Sequence, residues 1–168
     1  MQAPGPLLVA ELSIPVENGM FVLTDPTLGD PAAMAEGLAE ATASRRFVAV
    51  VRDVLTVVTP AEDSVGTPLT VSVRDRPPAG AAHDVEHEVE LDLAVAGGRL
   101  EVWLVSGPAG EVDGVPPGAY RVRVSARGLT RFDEYDGVSR ESYRLALWPR
   151  GAASPPVVTR SWPGWDQY

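Results

Sequence analysis

Two histidines and a run of alternating carboxylates are the residues of this chain whose types and spacing invite a chemical reading. His83 and His87 stand four apart, the spacing that places two imidazoles on one helix face in the zinc motif His-Glu-x-x-His. The residues around them alternate polar and apolar, which is a strand pattern. On a strand, positions four apart lie roughly 13 Å from one another, too far for one ion. His87 falls among apolar residues and reads as a structural histidine. The chain has no cysteine, and all 14 of its basic residues are arginine. Thiolate metal sites, disulfides, Schiff-base chemistry and a Lys-ended phosphate loop are thereby excluded. No Gly-x-Ser-x-Gly elbow is present. The sequence therefore assigns no catalytic residue, no metal ligand and no cofactor.

The carboxylates are more informative. Asp84, Glu86, Glu88, Glu90 and Asp92 share one parity, and Val85, His87, Val89, Leu91, Leu93 and Val95 share the other. On a strand the five carboxylates line one face at intervals of roughly 6.6 Å. Two readings compete. The stripe docks a basic partner, with these five residues as the contact, or it pairs across strands with arginines such as Arg121, Arg123 and Arg127, which alternate in the same way. Both readings stay open from the sequence.

Two further groups deserve a chemical question. Asp133-Glu134-Tyr135-Asp136-Gly137 is a loose likeness of a calcium loop without its alternating ligands, and it reads as a solvated turn. Trp162, Trp165 and Tyr168 crowd the end of the chain. They suit packing over the open end of a sandwich, with contact to a partner or sugar as the alternative.

Stepping outward, the elements that would hold these groups are strands. Leu8 to Val16 alternates, with Pro15 marking an edge. Asn18-Gly19 is a hairpin signal, and Met20 to Thr24 follows as a return strand. Asp30-Pro31 opens the one helical candidate, with Asp as cap and Pro at the first helical position. Residues 38–44 read equally as a helix end or a small-residue strand. Further strands are expected at 47–52, 54–59, 69–74, 85–95, 100–105, 119–126 and 143–148, with loops at 60–68 and 107–118. The prediction is an all-β fold, an antiparallel β-sandwich of roughly eight or nine strands with at most one short helix. One β-sandwich domain spans 1–168, with an aromatic tail at 157–168.

Charge bounds the partners. The net charge is −9, which disfavours nucleic acid and favours attraction to a basic surface. No window is apolar enough to span a membrane, and no leader pattern opens the chain, so the expected compartment is the cytoplasm. Oligomeric state is not legible.

Several segments resemble the competence protein J family, small cytoplasmic inhibitors of a DNA-entry nuclease. They are Glu11-Leu12-Ser13-Ile14, Phe21-Val22-Leu23, the stretch around Gly37-Leu38-Ala39 leading to Phe47-Val48-Ala49-Val50, and Val115-Pro116-Pro117-Gly118-Ala119-Tyr120-Arg121-Val122. The last run is similar to the family's Leu-Pro-x-Gly-x-Tyr strand start. The likeness spans about residues 8–127 and leaves the last 40 unmatched. It implies a non-enzymatic protein-binding module, an inhibitor or immunity-type protein that blocks a nuclease or toxin through an acidic face. The alternative is a carbohydrate-binding or carboxylate-based hydrolytic domain that uses the aromatic tail.

Overall fold

The computed structural model describes residues 5–80, 82–130 and 139–168. Within them, eleven strands form two sheets. The larger contains β1 (Leu8–Val16), β5 (Ser64–Val73), β6 (His87–Val95), β9 (Gly118–Arg127), β10 (Ser142–Pro149) and β11 (Val157–Arg160), in the order β1-β5-β10-β9-β6-β11. The smaller contains β2 (Met20–Thr24), β3 (Val48–Val51), β4 (Val54–Val58), β7 (Arg99–Leu104) and β8 (Gly107–Asp113), in the order β3-β4-β2-β7-β8. The sheets face each other over one apolar core that includes Ile14, Phe21, Leu55, Leu69, Leu91, Val122 and Leu145. This is the expected sandwich.

Alternation explains the larger sheet. In β6, His87, Val89, Leu91, Leu93 and Val95 are buried, while the intervening carboxylates point away from the core. The smaller sheet is different, because β2 and β4 are buried along their whole length. Their second face is covered by helix α1 (Met34–Ala43) and the 3-10 turn Pro31–Ala33 before it. Strands buried on both faces read as continuous apolar runs, which is what Phe21-Val22-Leu23 and Val54-Leu55 are.

The helix settles the ambiguity at 38–44 in favour of helix. Asp30 caps the 3-10 turn that leads into it, its side chain accepting from Ala32 N at 2.9 Å, and Pro31 opens that turn. Gly37 does not break it. A Cβ at that position would overlap the Thr56 hydroxyl of β4, so glycine is what lets the helix lie against the sheet.

The fold refines the expected sandwich at several places. The Asn18-Gly19 turn forms, with φ of 52° and 69° and a Glu17–Met20 bridge. Its strands then part, β1 into the larger sheet and β2 into the smaller one, so Met20–Thr24 is not the return strand of a hairpin. Pairing is antiparallel except between β5 and β10, which run parallel. The loop assigned to 107–118 contains β8, and the tail contains β11, which raises the strand count above nine. Both are edge strands held by backbone pairing to one neighbour, so neither needs the side-chain alternation that sequence reading relies on. The loop assigned to 60–68 is shortened by β5. Pro68 is tolerated there because pairing with β10 begins only at Leu69, leaving its nitrogen side without a partner strand.

Candidate functional site

The carboxylate stripe meets the arginines. β6 and β9 pair with Glu88 opposite Ser125, Glu90 opposite Arg123 and Asp92 opposite Arg121. Arg121 bonds Asp92 at 2.9 Å and approaches Glu90 at 3.8 Å. Arg123 bonds Glu90 at 2.8 Å and approaches Glu88 at 3.8 Å. Arg150 reaches Asp92 at 3.6 Å, and Arg127 bonds Asp84. Glu88 also accepts from the hydroxyls of Ser125 and Thr159, each at 2.8 Å, and Glu86 accepts from Leu129 N at 3.0 Å. All five carboxylates are thus engaged by the protein itself, Glu88, Glu90 and Asp92 on β6 and Asp84 and Glu86 just before it. Asp84 is the one most open to solvent.

The segment after β10 closes over this ladder. Arg121 donates to the carbonyls of Ser154 and Pro155 at 3.1 and 3.0 Å, and Ser154 N donates to Asp92 at 2.9 Å. β11 then pairs along β6. Burial raises the Asp92 pKa, but Ser154 N and the Arg121 guanidinium outweigh it and hold the carboxyl below its usual range. The hydrogen bond from Arg127 does the same for Asp84. The central side chains are 5–23% exposed. They are therefore partly buried pairs, in which loss of one partner is costly, rather than surface pairs worth about 0–1 kcal/mol.

The aromatic tail divides. Trp165 stacks on Phe47 at 3.8 Å between ring centres and 8° between planes. Trp162 and Trp165 are 7% and 3% exposed and close the core at this end of the sandwich. Tyr168 is half-exposed, its hydroxyl donating to the Pro60 carbonyl at 2.6 Å. Two of the three aromatics therefore present no open face to a ligand.

His87 is buried between these groups, with Nε2 at 2.7 Å from the Arg46 carbonyl and Nδ1 accepting from Trp162 N at 3.3 Å. That pairing fixes the proton on Nε2. Burial lowers its pKa, partly offset by the Arg46 carbonyl. His83 is exposed. The segment Asp133-Glu134-Tyr135-Asp136-Gly137 lies outside the described residues. Among the described residues, no group of three His, Asp or Glu side chains could hold a metal ion.

Two buried carboxyls carry no signal in the sequence pattern. Asp25 is fully buried and accepts from Thr27 N at 2.8 Å, Thr27 Oγ1 at 2.7 Å, and Ala96 N and Gly97 N at 2.5 Å each. It ties the segment after β2 to the β6–β7 turn. Glu141 is 2% exposed and accepts from Ala61 N and the Tyr143 hydroxyl, both at 2.8 Å. It ties the segment before β5 to the start of β10. Both are fastenings between core strands.

The fold is similar to the crystal structure of ComJ, inhibitor of the DNA degrading activity of NucA, from Bacillus subtilis. The TM-score is 0.59 at 12% identity, over 87% of this chain and 98% of that one. It is similar to the same degree to crocagin biosynthetic gene J, with a TM-score of 0.58 at 15% identity, over 86% of this chain and 98% of that one. No family model matches the chain, and no curated protein matches it significantly. At these identities the likeness establishes a shared fold, and it bears out the resemblance to the competence protein J family.

Proposed function

We propose that this protein is a non-enzymatic binding module that inhibits a basic partner, a nuclease or a comparable toxin, by occluding it. The observation that carries this reading is the fold likeness to a nuclease inhibitor over 98% of that inhibitor's chain. The net charge of −9 supports a basic partner.

The ladder changes where the contact is placed. It sets Asp84, Glu88, Glu90 and Asp92 against Arg121, Arg123, Arg127 and Arg150. Nearly all of the net negative charge therefore resides elsewhere. Asp84, Glu86, Glu88, Glu90 and Asp92 remain the sequence's candidates, but only Asp84 is open enough to meet a partner without dismantling the sheet. A stronger face lies at the end of the sandwich that carries the Asn18-Gly19 turn. Glu62 and Asp63 are exposed there, beside the half-buried Glu17, and none of the three meets an arginine within ion-pair distance among the described residues. Glu62 and Tyr168 line a hollow of about 370 Å³ with Leu38 and Phe47. Exposed carboxylates around an aromatic and an apolar hollow are the composition of an interface centre with a charged rim.

The experiment is capture of partners from an extract of the native host at low salt, with the wild type and with a Glu62→Arg/Asp63→Arg double variant. The expected result is a basic protein retained by the wild type, released by salt and lost by the variant. Recovery of the wild type alone would contradict the reading.

A further inference from the structure

The outer face of the larger sheet carries a groove of about 440 Å³ beside the ladder, which the inhibitor reading does not use. Its floor comes from register. Thr70 lies beside Arg144, which lies beside Ser125, and Ser72 lies beside Ala146, which lies beside Arg123. Small side chains at Thr70, Ser72, Ser125 and Ala146 thus leave a depression in the middle of the sheet. The chain between β5 and β6 roofs it with Pro78, Ala79 and Gly80, held by Arg123, which donates to the Pro78 carbonyl at 3.2 Å.

The walls are cationic. Arg74, Arg123 and Arg144 all line the groove. Arg123 is paired with Glu90, but the side chains of Arg74 and Arg144 make no hydrogen bond or ion pair among the described residues; Asp84 acts on Arg144 only through its charge. Arg74 Nε is moreover buried and unpartnered. A buried guanidinium N–H without an acceptor is costly, and native structures resolve such atoms with a partner. The carboxylate in the lining, Glu88, is already satisfied by Ser125, Thr159 and Arg123. The groove therefore has two guanidiniums and the Thr70 hydroxyl to offer, and acceptors are what it lacks.

We propose that this groove binds a small organic polyanion, a molecule carrying two or more carboxylate or phosphate groups. Its volume falls in the usual range for small-molecule sites, about 300–1,000 Å³. That exceeds what a single inorganic ion fills. Planar guanidiniums match carboxylate and phosphate oxygens in pairs. The site is independent of the inhibitor reading and of the face at Glu62.

The test is calorimetric titration of the full chain with citrate and with fructose 1,6-bisphosphate at constant ionic strength. At least one should bind saturably at millimolar concentration, with one equivalent per chain. Arg74→Gln and Arg144→Gln should each weaken it roughly tenfold, as loss of one charge-assisted hydrogen bond implies. Ala146→Phe, which fills the floor, should abolish it. Arg76→Gln, outside the groove, should leave it unchanged. Arg144 is exposed, so its variant stays informative if the floor variant fails to fold. Absence of saturable binding by both anions, or binding indifferent to Arg74→Gln and Arg144→Gln, would overturn the proposal.

Discussion

Asp25 is fully buried, yet it is held ionised. Burial alone would raise its pKa, but the hydrogen bonds from Gly97, Thr27 and Ala96 prevail and bring it from 3.8 to about 2. A carboxyl whose folded pKa is depressed contributes stability that is complete above 3.8 and lost as the pH falls towards 2. Asp25→Asn should therefore cost about 2 kcal/mol at pH 7 and much less near pH 2, measured by urea unfolding across that window. Glu141 has the opposite sign. Burial outweighs the bonds from Tyr143 and Ala61, and nearby Glu86 adds to it, raising the pKa from 4.5 to about 6. The ionised form is the penalised one, so the wild type gains stability as the pH falls from 6 to 4.5. Glu141→Gln keeps an acceptor for Ala61 N and removes the titration. The stability difference between variant and wild type should then change by about 2 kcal/mol between pH 7 and pH 4.5, in favour of the wild type at low pH. Neither residue was legible in the sequence. Each departs from any strand pattern only by being one acid among 23, and its partners lie far along the chain.

At the scale of elements, the strands with one wet face were the legible ones. β1, β6 and β9 alternate because one side meets the core and the other meets water or the ladder. The parities of Asp84–Asp92 and of Arg121–Arg127 placed those side chains on the outer face correctly. They did not say that β6 and β9 are neighbours, which is a matter of strand order, and this is what turned a stripe into a ladder. Replacing Arg121 by Ala should cost about 3 kcal/mol in chemical unfolding, because Asp92 and Glu90 would be left partly buried without their partner. A cost within about 1 kcal/mol would mean that the pairs behave as surface pairs. The edge strands β8 and β11 and the parallel β5–β10 pair were illegible because backbone pairing alone defines them. Gly37 shows packing overriding propensity. Alanine is favoured over glycine inside a helix by about 1 kcal/mol. Its Cβ would nevertheless push α1 off Thr56 of β4, at a cost of about 1–3 kcal/mol. Gly37→Ala should lower the melting temperature, where helix propensity alone would raise it.

The whole molecule is an acidic sandwich whose most conspicuous charges are internal. Four carboxylates of the stripe are matched by arginines, Glu86 holds the Leu129 amide, and two tryptophans close the core, so the features that dominate the sequence serve the fold. No helix among the described residues is long and apolar enough to cross a membrane. The proposed partner face is the acidic end around Glu62, Asp63 and Tyr168, and the proposed anion site is the arginine-lined groove on the outer face of the larger sheet. The central claim, inhibition of a basic partner, is tested most directly by low-salt capture from native extract, followed by assay of DNA degradation by the captured protein with and without added inhibitor. The account predicts a basic protein whose activity returns on salt release and is suppressed again by the wild type, but not by the Glu62→Arg/Asp63→Arg variant. Recovery of the protein alone, or a captured partner whose activity the added wild type leaves unchanged, would contradict it.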